Sequence, residues 1–144
     1  MEKIKKLKIS RLSFIGNYIL GLFLLSYLFL SGFTVKLPPI LTIFFIMLIL
    51  LFFLEPEAII LYYNYYIDPD NITEIKGILT KTQISIPYRN ISGERLKKSF
   101  IGRIFNYGNI IITSSSNEIN IRGIRNPEKL YRMIEGKLTR YRKE

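Results

Sequence analysis

The sequence predicts an α+β membrane protein: an N-terminal two-helix transmembrane hairpin, then a small antiparallel β-barrel or sandwich closed by a C-terminal amphipathic α-helix. Three observations carry that prediction. Leu12 to Val35 holds no charge, Lys36 interrupts, and Leu37 to Leu54 is again uncharged and almost wholly apolar. From Ala58 onward the apolar residues fall into short β-branched and aromatic segments divided by turn residues, which is the pattern of strands. Asn126-Pro127-Glu128 then opens a segment whose apolar residues return at helical spacing.

The domain division follows: a basic segment at 1–11, the hairpin at 12–57 with spans near 12–33 and 38–57, and a domain at 58–144 that ends in a helix over 127–141. The first segment carries Lys3, Lys5, Lys6, Lys8 and Arg11 against Glu2. The apolar run after it is too long for a signal peptide, and a second run follows at once. The five cations therefore read as a topology signal that keeps the N-terminus in the cytoplasm. Two spans return the chain to the same side, so the expected location is the cell membrane, two-pass, with both termini cytoplasmic.

A helix over 12–33 is about 33 Å long, enough to cross the hydrocarbon with some tilt. Asn17 is its one strongly polar residue and is expected to bond across the hairpin or to sit near the headgroups. Gly16 and Gly21 are five apart, so they make no G-x-x-x-G face and read as merely tolerated. The loop from Ser31 to Pro38 leaves no room for an external domain. Pro39 suits the first turn of the second helix, and Glu55-Pro56-Glu57 marks its exit.

The helix is expected to continue a few residues past Ala58, with a strand from near Tyr62 to Ile67. Asp68-Pro69-Asp70-Asn71 is a turn that lacks the calcium-loop pattern. Ile72 to Leu79 and Thr82 to Ile91 are strands, and Pro87 makes the latter an edge or a bulge. Ser92 to Lys98 reads as a polar loop. Ser99 to Gly108 reads as a short buried helical turn ending near Asn106. Asn109 to Thr113 and Glu118 to Ile124 are strands around a turn at Ser114 to Asn117, with Ile119 and Ile121 inward. For the last helix, Asn126 is a suitable N-cap, Pro127 suits N1 and Glu128 favours the positive helix end. Leu130, Tyr131, Ile134, Leu138 and Tyr141 form its apolar face. Lys129, Arg132, Arg140 and Lys143 lie opposite, with Gly136.

Taken together, these segments resemble the prokaryotic membrane-flanked family with a bacterial pleckstrin-homology-like (PH-like) domain. The residues that carry the resemblance are Gly77-Ile78-Leu79, Ile86-Pro87-Tyr88-Arg89-Asn90-Ile91, Gly102-Arg103-Ile104-Phe105-Asn106-Tyr107-Gly108 and Asn126-Pro127-Glu128, in that order behind a two-helix hairpin. The resemblance covers nearly the whole chain. It implies a compact antiparallel sheet, bent into a partly open barrel or sandwich and closed by the C-terminal helix. The short turn at Ser114 to Asn117 departs from the family pattern and reduces any site there. The family has no agreed catalytic residues to carry over.

Composition narrows the function. Cysteine and histidine are both absent, which excludes disulfides, Cys/His zinc sites, thiol nucleophiles and imidazole bases. No P-loop, nucleophile elbow or paired-carboxylate constellation is present, so no catalytic, cofactor or metal residue is assigned and the chain reads as a non-enzyme. Net charge is +10, and residues 76–144 hold 15 basic against 5 acidic side chains. The function expected is a membrane-anchored binding or scaffold module at the cytoplasmic face. It would recruit a protein partner, membrane or cytoplasmic, or contact anionic lipid headgroups; self-association through the hairpin is a further partner class. The contact residues expected are Lys97, Lys98 and Arg103 in the loop region and Lys129, Arg132, Arg140 and Lys143 on the helix. The alternatives are a component of an oligomeric membrane transport or export assembly, and, less favoured, nucleic-acid binding, for which no RNP-type aromatic motif appears.

Overall fold

In the computed structural model, which describes residues 4–144, the chain divides into two units: Phe14–Ile59, and Ile60–Glu144 together with the N-terminal segment up to Ser13. Lys3 of the basic N-terminal run lies outside the described residues.

The first unit is the hairpin. Helix α1 spans Ile15–Thr34 and helix α2 spans Pro39–Tyr62, whose last turn already belongs to the second unit. Contacts at Tyr18–Phe53 and Tyr27–Phe45, with ring centroids 6.0 and 5.8 Å apart, descend along one helix as they ascend along the other, so the helices are antiparallel. Asn17 Nδ2 donates to Glu55 Oε2 at 3.2 Å, the cross-hairpin bond the sequence suggested. Gly21 is more than tolerated. A Cβ there would lie 2.8 Å from the Phe53 ring, so its lack of a side chain sets how closely the helices approach. Pro56 sits inside α2 rather than ending it.

The second unit contains two antiparallel sheets. The first has the order β1-β2-β3-β4: Lys5–Leu7, Tyr63–Ile67, Asn71–Lys76 and Thr82–Pro87. The second has the order β5-β6-β7: Ile91–Lys97, Tyr107–Ser114 and Glu118–Arg125. Between β5 and β6 lies the short helix α3, Phe100–Phe105, and the chain ends in helix α4, Pro127–Lys143. Among the described residues the two sheets do not join into a closed barrel.

The core is built from Tyr65, Ile67, Ile72 and Ile86 of the first sheet and Ile110, Ile112, Ile119 and Ile121 of the second. Successive strand residues point to opposite faces, yet Ile110, Ile111 and Ile112 are all buried, so β6 is covered on both sides. Helix α4 packs on β5 and β6 and buries Leu130, Ile134 and Leu138, the face its periodicity marked out. Across the core, the Tyr65 hydroxyl donates to the carbonyl of Asn120 at 2.8 Å.

Several expectations are corrected. The N-terminal segment supplies strand β1, with Leu7 paired to Tyr65 and Lys5 to Ile67. Ser92 to Lys98 is not a loop: it forms most of β5, because pairing with β6 satisfies its backbone although only Ile91 and Leu96 are apolar. The strand expected over Thr82 to Ile91 stops at Pro87 and gives way to a helical turn at Tyr88–Asn90, while the edge position expected from the missing N–H of Pro87 holds. The bulges fall elsewhere, between Ile91 and Gly93 and between Gly108 and Ile110. Asn126 precedes α4 in the left-handed conformation, φ 51°, and makes no side-chain cap; its side-chain oxygen instead accepts from the Asn106 amide. Finally, α3 forms where a helical turn was expected and ends at Asn106, but its apolar side chains are exposed rather than buried.

Candidate binding surface

The β5–α3–β6 connection gathers one group of the expected contact residues. Ser99 caps α3 by accepting from the Gly102 N–H at 3.0 Å, and Asn106 closes it in the left-handed conformation. This places Lys97, Lys98 and Arg103 around one open cleft of about 680 Å³, which Tyr107 and Asn109 also line. Lys97 and Arg103 stay exposed. Lys98 turns inward: its Nζ lies 2.5 Å from Glu128 Oε1 and donates to Asn106 Oδ1 at 3.0 Å. That hydrogen bond holds the Glu128 carboxyl below the usual carboxylate range. Lys98 thus ties the start of α4 to the end of β5, and Lys97 and Arg103 are the cations turned outward.

The basic residues of α4 sit in two different settings at its two ends. Lys129, Arg132, Arg140 and Lys143 are all exposed, but Lys129 and Arg140 lie about 16 Å apart along the axis, beyond the screening length at physiological salt. Arg140 lines a small cleft with Lys137, Asp70 and Glu144, so cations and acids are mixed there. There Tyr141 stacks on Tyr88 with centroids 5.6 Å apart and donates to Asp70, which raises the Tyr141 pKa. Lys129 belongs to a different setting. It lines a cleft with Lys5, Lys6, Lys8 and Arg125, and among the described residues no acidic side chain contributes.

The N-terminal lysines and Arg125 were missed as partners of Lys129 because the sequence reading gave residues 1–11 no place in the sheet. The signal was present: Lys6-Leu7-Lys8-Ile9 alternates, with Leu7 and Ile9 buried and both lysines exposed.

One further cluster is chemically distinctive. Glu74 is buried at 2% exposure, with Lys76 Nζ 3.3 Å from its Oε2. Burial pushes its carboxyl up, against the opposing pull of Lys76 and Arg122. Burial, reinforced by Glu74, likewise raises the Tyr65 hydroxyl. The Arg122 guanidinium lies over the Tyr63 ring at 5.0 Å. Glu74 and Tyr65 are closed off from solvent, so the cluster is part of the core rather than a place for a substrate. Among the described residues no group of three carboxylates or other metal-capable side chains comes together.

Compared with known proteins, residues 15–138 match the family model described as the bacterial PH domain. No curated protein and no solved structure matches the chain.

Proposed function

The chain belongs to the bacterial PH domain family, and on that premise we propose that it is a hairpin-anchored binding module, non-catalytic, displayed at the cytoplasmic face of the membrane. The observation that carries the reading is the state of the two helices. Both are long and apolar enough to cross a bilayer, yet only 6% and 11% of their most apolar windows are buried within the protein. A core helix of a water-soluble protein would have those side chains covered. The lysines ahead of the first helix support a cytoplasmic N-terminus. The sheet unit then presents its basic surface, Lys97 with Arg103 and Lys129 with its neighbours, to an anionic headgroup or a protein partner on that side.

The cysteine-free sequence makes topology directly measurable. Single-cysteine variants Lys36→Cys, in the turn between the helices, and Ser115→Cys, in the β6–β7 turn, are expressed in a bacterium. They are then treated with a membrane-impermeant maleimide. Lys36→Cys is expected to label in intact cells and Ser115→Cys only after permeabilisation. The reverse pattern would overturn the orientation, and release of the chain by alkaline carbonate would overturn the anchoring.

A further inference from the structure

Helix α3 is built inside out. Projected at about 100° per residue, Phe100, Ile101, Ile104 and Phe105 fall within an arc of about 140°. All four are exposed, Phe100 at 78% and Ile104 at 63%. The side turned to the sheet is Gly102, which is buried; a Cβ there would lie 2.5 Å from the Tyr107 carbonyl oxygen. The helix therefore lies on the sheet through a glycine and holds its apolar arc outward. The Ser99 cap and the left-handed Asn106 fix that orientation at both ends. Nothing in the core requires these four side chains to be apolar.

Their surroundings are mainly cationic, with Glu128 paired to Lys98. No acidic residue occurs between Glu94 and Glu118. Lys97 and Arg103 flank the helix. Its C-terminal Asn106 is hydrogen-bonded to Asn126, which lines the basic cleft of Lys5, Lys6, Lys8, Arg125 and Lys129. An apolar arc rimmed by cations matches a helix lying in the interface of an anionic bilayer. A second copy of the chain would set these cations against themselves. A six-residue helix is also small against the roughly 800 Å² per partner that a stable protein interface buries.

We propose that α3 is an interfacial anchor. Its apolar arc enters the boundary between headgroups and acyl chains of an anionic leaflet, and the flanking cations meet the lipid phosphates. The proposal rests on the membrane reading above and names the surface that the basic side of the sheet unit meets.

The test uses the full chain reconstituted into vesicles, spin-labelled at Ile104→Cys, with Ser115→Cys as the aqueous reference. Collision with oxygen, which partitions into lipid, is compared with collision with a water-soluble nickel chelate. In phosphatidylcholine vesicles containing phosphatidylglycerol, the oxygen-to-nickel ratio at position 104 is expected to exceed that at position 115 several-fold. In pure phosphatidylcholine it is expected to fall toward the reference. A label at 104 that reads aqueous, while the chain resists carbonate extraction, overturns the proposal and leaves the anchoring intact. Equal depth in both vesicles overturns the assignment to an anionic surface. A label shielded from both reagents means that protein covers the face, which also overturns it. Extraction of the chain by carbonate overturns the membrane reading and this proposal together.

Discussion

Replacing Tyr65 by phenylalanine removes one oxygen atom from the centre of the sheet unit and leaves the rest of the side chain in place. Tyr65 is fully buried, and its hydroxyl donates to the Asn120 carbonyl at 2.8 Å. Asn120 lies on β7, an edge strand, where outward carbonyls lack a ladder partner. The ring still stacks on Tyr63, with centroids 6.3 Å apart and planes at 10°, so little cavity forms. The loss is therefore one hydrogen bond plus a buried carbonyl left without its donor, together about 1–3 kcal/mol. For a unit of this size each kcal/mol moves Tm by about 4–8 °C, so the melting temperature should fall by about 4–24 °C. The assay is thermal unfolding of the full chain in detergent, followed by the β-sheet circular dichroism signal. Tyr66→Phe on the same strand is half-buried and serves as the control, with a change expected within about 0.5 kcal/mol. If Tyr65→Phe melts with Tyr66→Phe, the hydroxyl does not bridge the sheets and the reasoning is wrong.

Two further substitutions probe the same unit. Burial raises the Glu74 pKa above the ordinary carboxylate value of 4.5, so its contribution to stability is complete below that value and is lost as pH rises through the folded pKa. Glu74→Gln removes this dependence and should gain on the parent chain as pH rises from acid to neutral in urea titrations; parallel pH profiles would count against a buried, reluctant carboxylate. Gly123 sits at φ +57°, and a Cβ there would lie 2.5 Å from Ser13 Oγ, so Gly123→Ala should cost about 1–2 kcal/mol from the backbone alone, plus a clash. Removing the Ser13 side chain in the Gly123→Ala background should restore part of the loss in the same titration, and no recovery would show that Ser13 does not press on this position.

The sequence by itself determined the parts whose signal is local and repeated. Two long uncharged apolar runs on either side of Lys36 mark out the two helices of the hairpin, each long and apolar enough to cross a bilayer. The period of Leu130, Ile134 and Leu138 sets the buried face of α4. The alternation of Ile119 and Ile121 does the same for β7. Ser99 and Asn106 bound α3 by cap chemistry that is legible residue by residue. The tertiary structure decided what depends on partners distant in sequence. β5 has too few apolar residues to announce itself and becomes a strand only because β6 offers a ladder. β1 is a lysine-rich segment until Tyr65–Ile67 pairs with it, which carries its cations to Arg125 and Lys129. Which way α3 faces could not be read from its composition, since an apolar helix is ordinarily turned inward. The contact at Gly102, set by the Tyr107 carbonyl across a turn, is what points Phe100 and Ile104 outward.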